Sequence, residues 1–188
     1  MPAEVTRSRF PSGFFPALVT GLILAIPLIA MQFSAEVRWD LPDFVIMGAL
    51  LFGTGLSFEL LLRRGGSFVY RAALGLALFS TLFMTWANLA VGLIAAEGSS
   101  ANLLLLGVPL IGIAGALLAQ FRPQGLALTL MAMAIVQAAL AALALLEGWK
   151  PLRRGSLDVW APNGLFVVLF LLAATLFLMS STRRRGKA

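Results

Sequence analysis

Six long apolar runs, nearly free of charge, decide what this chain can fold into. Phe14 to Phe33 passes 20 residues without an ionisable side chain. At ~1.5 Å of helical rise per residue, that length covers the ~30 Å of a hydrocarbon core. Lipid offers no hydrogen bonds to a backbone, so a spanning segment must pair its own N–H and C=O groups, as an α-helix does. The same reasoning places further spans over residues 43–62, 72–96, 102–120, 125–146 and 163–179. Composition agrees: 60% of the residues are hydrophobic, 12% are charged, and the mean hydropathy is +0.96. A soluble domain needs a more highly charged surface than this. The expected fold is an all-α integral membrane bundle of six transmembrane helices forming one domain. A cleaved signal peptide is the rival reading of the first run. Such a peptide has an apolar region of about 7–15 residues and a small-residue cleavage site, and this run is longer with no such site behind it.

Small and polar residues give the spans their faces. Pro27 lies inside the first, where a kink is expected, and Pro42 suits the opening turn of the second. Gly48, Phe52, Gly55 and Glu59 share one face of the second span and lead along it to a carboxylate. Thr81, Thr85, Asn88 and Gly92 form a stripe on the third that should face protein. Gly107, Pro109, Gly112 and Gly115 make the fourth a bent, closely packed helix. The stripes around Gly92 and Gly112 lead us to expect that the third and fourth helices pack against each other. Ser99 or Ser100 is placed to cap the fourth helix.

Charge sets the expected orientation. With six spans both termini share one side, and the basic residues divide ten against four between the two faces. The richer set is Arg7, Arg9, Arg63, Arg64, Arg71, Arg122 and the tail from Arg183 to Lys187. The poorer is Arg38, Lys150, Arg153 and Arg154. Basic loops stay cytoplasmic, so both termini are expected inside, with Trp39, Trp149 and Trp160 at the outer interface. Orientation also accounts for the pI near 11.3 without nucleic acid as a partner. Arg153 and Arg154 depart from the pattern, and read either as solvated charge or as a contact for anionic lipid or a partner.

With neither cysteine nor histidine in the chain, thiolate nucleophiles, His-ligated metals and His bases are excluded. The sequence shows no Gly-x-Ser-x-Gly elbow, no phosphate-binding loop and no cluster of acids for a two-metal site. No cofactor or metal is called for. The remaining candidates for a ligand or ion site are Asn88, Glu97, Asn102, Glu59 and Gln137. Asn88, well inside its span, needs hydrogen-bond partners, and Gln137 is the expected one; the pair reads as interhelical glue or as a ligand site. Glu97 reads as a proton or cation acceptor, or as an acid favoured by the dipole at the start of the fourth helix. Asn88 and Glu97 converge only if the helix breaks near Ala95. Glu59 stands four residues before Arg63, the ordinary spacing of a helical ion pair, with a proton relay as the other reading.

The run Asn88-Leu89-Ala90-Val91-Gly92, with Glu97 and Ala101-Asn102-Leu103 after it, resembles a stretch of a family of small multi-pass bacterial inner-membrane proteins without an assigned activity. Phe52-Gly53-Thr54-Gly55 and Ala119-Gln120-Phe121-Arg122-Pro123 are similar to neighbouring parts of that family. Its members often carry Gly-Ser-Glu-Asp-Asn-Pro-Ala-Asn where this chain has Ala95-Ala96-Glu97-Gly98-Ser99-Ser100-Ala101-Asn102. The resemblance implies a bacterial inner-membrane location and no activity. Three functions stay open: a packing or regulatory subunit beside a membrane partner or a second copy, a small proton- or ion-coupled carrier, and an intramembrane enzyme.

Overall fold

The computed structural model describes residues 11–34, 36–63, 66–150 and 155–185. Every regular element is helical: α1 (Phe14–Phe33), α2 (Leu41–Arg63), α3 (Phe68–Val91), a 3-10 segment (Ser100–Leu106), α4 (Gly107–Leu118), α5 (Pro123–Leu146) and α6 (Leu157–Arg185). Among the described residues, six helical stretches are long and apolar enough to cross a membrane, with the 3-10 segment and α4 together making the fourth. Arg7, Arg9, Arg64, Arg153, Arg154 and Lys187, which entered the charge argument, lie outside the described residues. The helices group into two units, residues 1–65 and residues 66–188.

In the first unit α1 and α2 pack against each other, and the face expected of α2 forms the contact. A side chain at Gly48 would meet Leu24 at 3.4 Å, and one at Gly55 would meet Pro16 at 3.2 Å. Absent Cβ atoms thus let the two backbones approach. Farther along the same face, Phe52 and Leu56 lie beside Gly13. Glu59 closes the row. One of its carboxylate oxygens accepts the Gly13 N–H at 3.1 Å and the other pairs with Arg63 at 2.5 Å. Gly13 is the N-cap of α1 and has no side chain to cap with, so Glu59 supplies negative charge where the helix dipole favours it. At the start of α2, Asp40 and Asp43 each accept the other's backbone N–H, in the manner of a capping box.

The second unit is built on a heptad seam. The buried residues Ala127, Leu130, Ala134, Gln137, Ala141 and Ala144 of α5 recur at alternating steps of three and four. Val159, Asn163, Phe166, Phe170, Ala173, Phe177 and Ser180 of α6 do the same. Such a period keeps one face of each helix on its partner, and α5 and α6 pack together along it. The α3 helix lies along α6, with Phe83 meeting Phe166 edge-on at 5.7 Å and Tyr70 meeting Phe177 at 5.3 Å.

Two expectations change here. The α3 helix forms its seam with α6, not α4, and α4 packs on α5. Gly112 therefore abuts the Met133 sulphur of α5, at 3.0 Å from where a Cβ would sit, and Gly115 abuts Thr129. The third span ends at Val91, not residue 96, and the sixth starts at Leu157, so that Pro162 and Asn163 lie within its helix.

Short turns close the unit. Gly148, at φ 64°, ends α5, and the Trp149 N–H returns to Ala144 O at 3.0 Å, the six-to-one bond of a Schellman cap. Between α4 and α5, Gln120 and Phe121 both take positive φ, 50° and 59°, a conformation costly for residues with a Cβ. The Phe121 carbonyl is held by the Tyr70 hydroxyl at 3.1 Å.

Candidate functional site

At Gly92 the backbone turns to φ 64° and α3 stops. The next four residues, Leu93 to Ala96, are not helical, yet Leu93, Ile94 and Ala95 are 3%, 0% and 0% exposed. Irregular backbone inside a bundle is tolerated only when its polar groups find partners. Four side chains supply them.

Asn88, in the last turn of α3, offers its oxygen to the Leu93 N–H at 3.4 Å and donates from Nδ2 to Asn102 O at 2.8 Å. Asn102, in the 3-10 segment, takes the Ala95 N–H at 3.0 Å and the Ile94 N–H at 3.4 Å on one oxygen. Its Nδ2 donates to Ala96 O at 2.9 Å. Asn163 of α6 donates from one nitrogen to Leu93 O at 3.0 Å and to Val159 O at 2.8 Å. Lys150, just beyond the cap of α5, donates from Nζ to Gly92 O at 2.6 Å. The break thus draws the ends of α3 and α5 and the start of α6 onto one short piece of chain. Ser99 caps the 3-10 segment by accepting the Ala101 N–H at 3.3 Å, as its position in the sequence suggested.

No family model matches the chain, and no curated protein or solved structure matches it.

The candidate residues fall into three groups. Asn88 and Asn102 meet within this network. Gln137 stands one step away. Its Nε2 donates to Asn163 Oδ1 at 2.7 Å, so its partner is Asn163 and not Asn88. Both hydrogens of Asn163 go to carbonyls, which leaves its oxygen as acceptor and fixes which end of the Gln137 amide faces it. The other atom, Gln137 Oε1, is buried and has no donor among the described residues. Glu97 is exposed in the turn after Ala96 and makes none of the hydrogen bonds that hold the segment. Glu59 belongs to the other unit, where it caps α1 and pairs with Arg63.

Two residues of the network escape a reading of the sequence alone. Asn163, followed by Gly164, looks like the start of a helix, but it is fully buried inside one. Lys150 reads as one more loop cation. Burial pushes its ammonium below its ordinary pKa, while the charge of Asp158 partly restores it.

Proposed function

We propose that this chain is a packing or regulatory subunit of a membrane complex in the bacterial inner membrane. One observation supports the reading most directly: the amides of Asn88, Asn102 and Asn163 are committed to Leu93–Ala96 and, for Asn88, to the backbone carbonyl of Asn102. Groups that hold backbone in place are not free to hold a substrate. The location follows from the resemblance to small multi-pass inner-membrane proteins. Purification in mild detergent followed by mass spectrometry tests the reading. A partner protein recovered in fixed proportion supports it, and a homogeneous monomer carrying a stoichiometric small molecule overturns it.

The second reading is a small proton- or ion-coupled carrier, and Gln137 Oε1, buried inside the bundle with no donor among the described residues, favours it. A broken helix is also where carriers place ion and substrate contacts. The two readings differ at Glu97. For a subunit, Glu97→Gln is expected to leave proton and cation flux in liposomes at the wild-type level. Wild-type flux that disappears in this variant establishes the carrier instead.

The topology that accompanies either reading has both termini in the cytoplasm and Arg38, Glu97 and Arg153 outside. Since the chain has no cysteine, single-cysteine variants give an unambiguous test. A cysteine at position 98 is expected to react with an impermeant maleimide in intact cells, and one at position 186 only after lysis. The reverse pattern inverts the topology.

A further inference from the structure

The end of α3 carries partial negative charge, because the last carbonyls of a helix lack intrahelical partners. Where a helix breaks inside a bundle, such carbonyls are the groups that bind monovalent cations or protons. In this protein a side chain already meets that demand. Lys150 Nζ lies 2.6 Å from Gly92 O, and Asp158 in the first turn of α6 adds a negative field at the same ammonium. The other carbonyls of the segment known to be bonded, Leu93 O and Ala96 O, receive amide hydrogens from Asn163 and Asn102. Gly92 O is therefore the one paired with a cation.

We propose that Lys150 is the resident cation of the broken end of α3, filling with the chain's own ammonium the place that a monovalent ion would otherwise take. The Schellman cap at Gly148 makes this possible, since it stops α5 two residues earlier and turns the chain back towards α3. On the carrier reading, and only there, ion coupling at this end runs through a proton carried by Lys150 and not through a bound metal ion.

Truncation and small-cation rescue distinguish a cation from a mere hydrogen-bond donor. Wild-type protein in detergent should melt at the same temperature in sodium, potassium and choline chloride of equal ionic strength. Lys150→Ala should melt lower, and should recover at least half of the loss in tens of millimolar methylammonium or ammonium. Lys150→Met fills the space without the charge, and should show the loss without the recovery. A folded Lys150→Ala protein indifferent to all of these cations overturns the proposal, as does cation-specific stabilisation of the wild type. If Lys150→Ala does not fold, Lys150→Arg and Lys150→Met decide the matter. Arginine melting well above methionine supports the cation, and equal melting of the two overturns it. None of these outcomes depends on whether a partner protein co-purifies, so the subunit reading stands or falls separately.

Discussion

Asn102→Ala is expected to be among the most damaging single changes in this protein, lowering the unfolding free energy by on the order of 3 kcal/mol or more. The substitution removes the acceptor of the Ile94 and Ala95 N–H groups and the donor to Ala96 O. Stranding a buried polar group costs ~1–3 kcal/mol, and here two buried N–H groups lose their acceptor, while Ala96 O keeps the Ser99 N–H at 3.1 Å. The Ile94 bond, at 3.4 Å, is the weaker of the two and sets the lower end of the range. Asn88→Leu should cost less, since it strands Asn102 O and one N–H already held at 3.4 Å. Denaturation in mixed micelles gives the energies. Hydrogen exchange at Ile94 and Ala95 gives the location, and should speed up in Asn102→Ala well before global unfolding. Stability within 1 kcal/mol of wild type would show that the segment has other partners.

Gly92→Ala should cost ~2–4 kcal/mol, and Gly148→Ala serves as its control. Both glycines have φ 64°. A positive φ costs an L-residue about 1–2 kcal/mol in the left-handed helical region, and at Gly92 the ψ of 116° lies outside that region, where a Cβ is tolerated less well. At Gly148 nothing among the described residues stands within 4 Å of an added Cβ, so the backbone term dominates the cost. At Gly92 the same atom would lie 2.6 Å from Ala95 O and 2.6 Å from Asn102 Nδ2. Steric displacement of Asn102 adds the remainder and loosens the segment it holds. Equal losses for the two alanine variants would show that Gly92 is needed for its φ alone.

The spans were legible because length and absence of charge are properties of the chain itself, and a bilayer constrains both. The small-residue face of α2 was legible for a similar reason, since the residues of one helical face are set by sequence spacing. What the sequence concealed depends on distant neighbours. Leu93 to Ala96 is as apolar as the helix before it, so hydropathy carries no sign of the break. The partners that permit the break, Asn163 and Lys150, stand 70 and 58 residues away. Pro162 beside Asn163 also resembles a helix start. Gly92 and Gly112 looked alike as small residues on neighbouring spans. One is a cap with positive φ, and the other is a seat for Met133. Pairing of α3 with α6 rests on Phe83, Phe166, Tyr70 and Phe177, residue types common on any membrane helix. Among the candidate residues, Asn88 was singled out because an amide in apolar surroundings demands a partner, and Asn102 because it stands in the turn that follows it. Gln137 was found for the same reason as Asn88 and matched to the wrong partner.

The 3-10 segment also sets how far the fourth span reaches. From Ser100 to Leu118 it has 19 residues, which as continuous α-helix would extend about 28 Å, short of a ~30 Å hydrocarbon core. Seven of them are wound as 3-10 helix, whose rise is ~2.0 Å per residue, and the span lengthens to about 32 Å. Tighter winding thus brings the length of a short span up to that of the hydrocarbon core. The same Asn102 that secures the break in α3 lies within the stretched turns, so thickness matching and the integrity of the neighbouring helix end rest on a common residue.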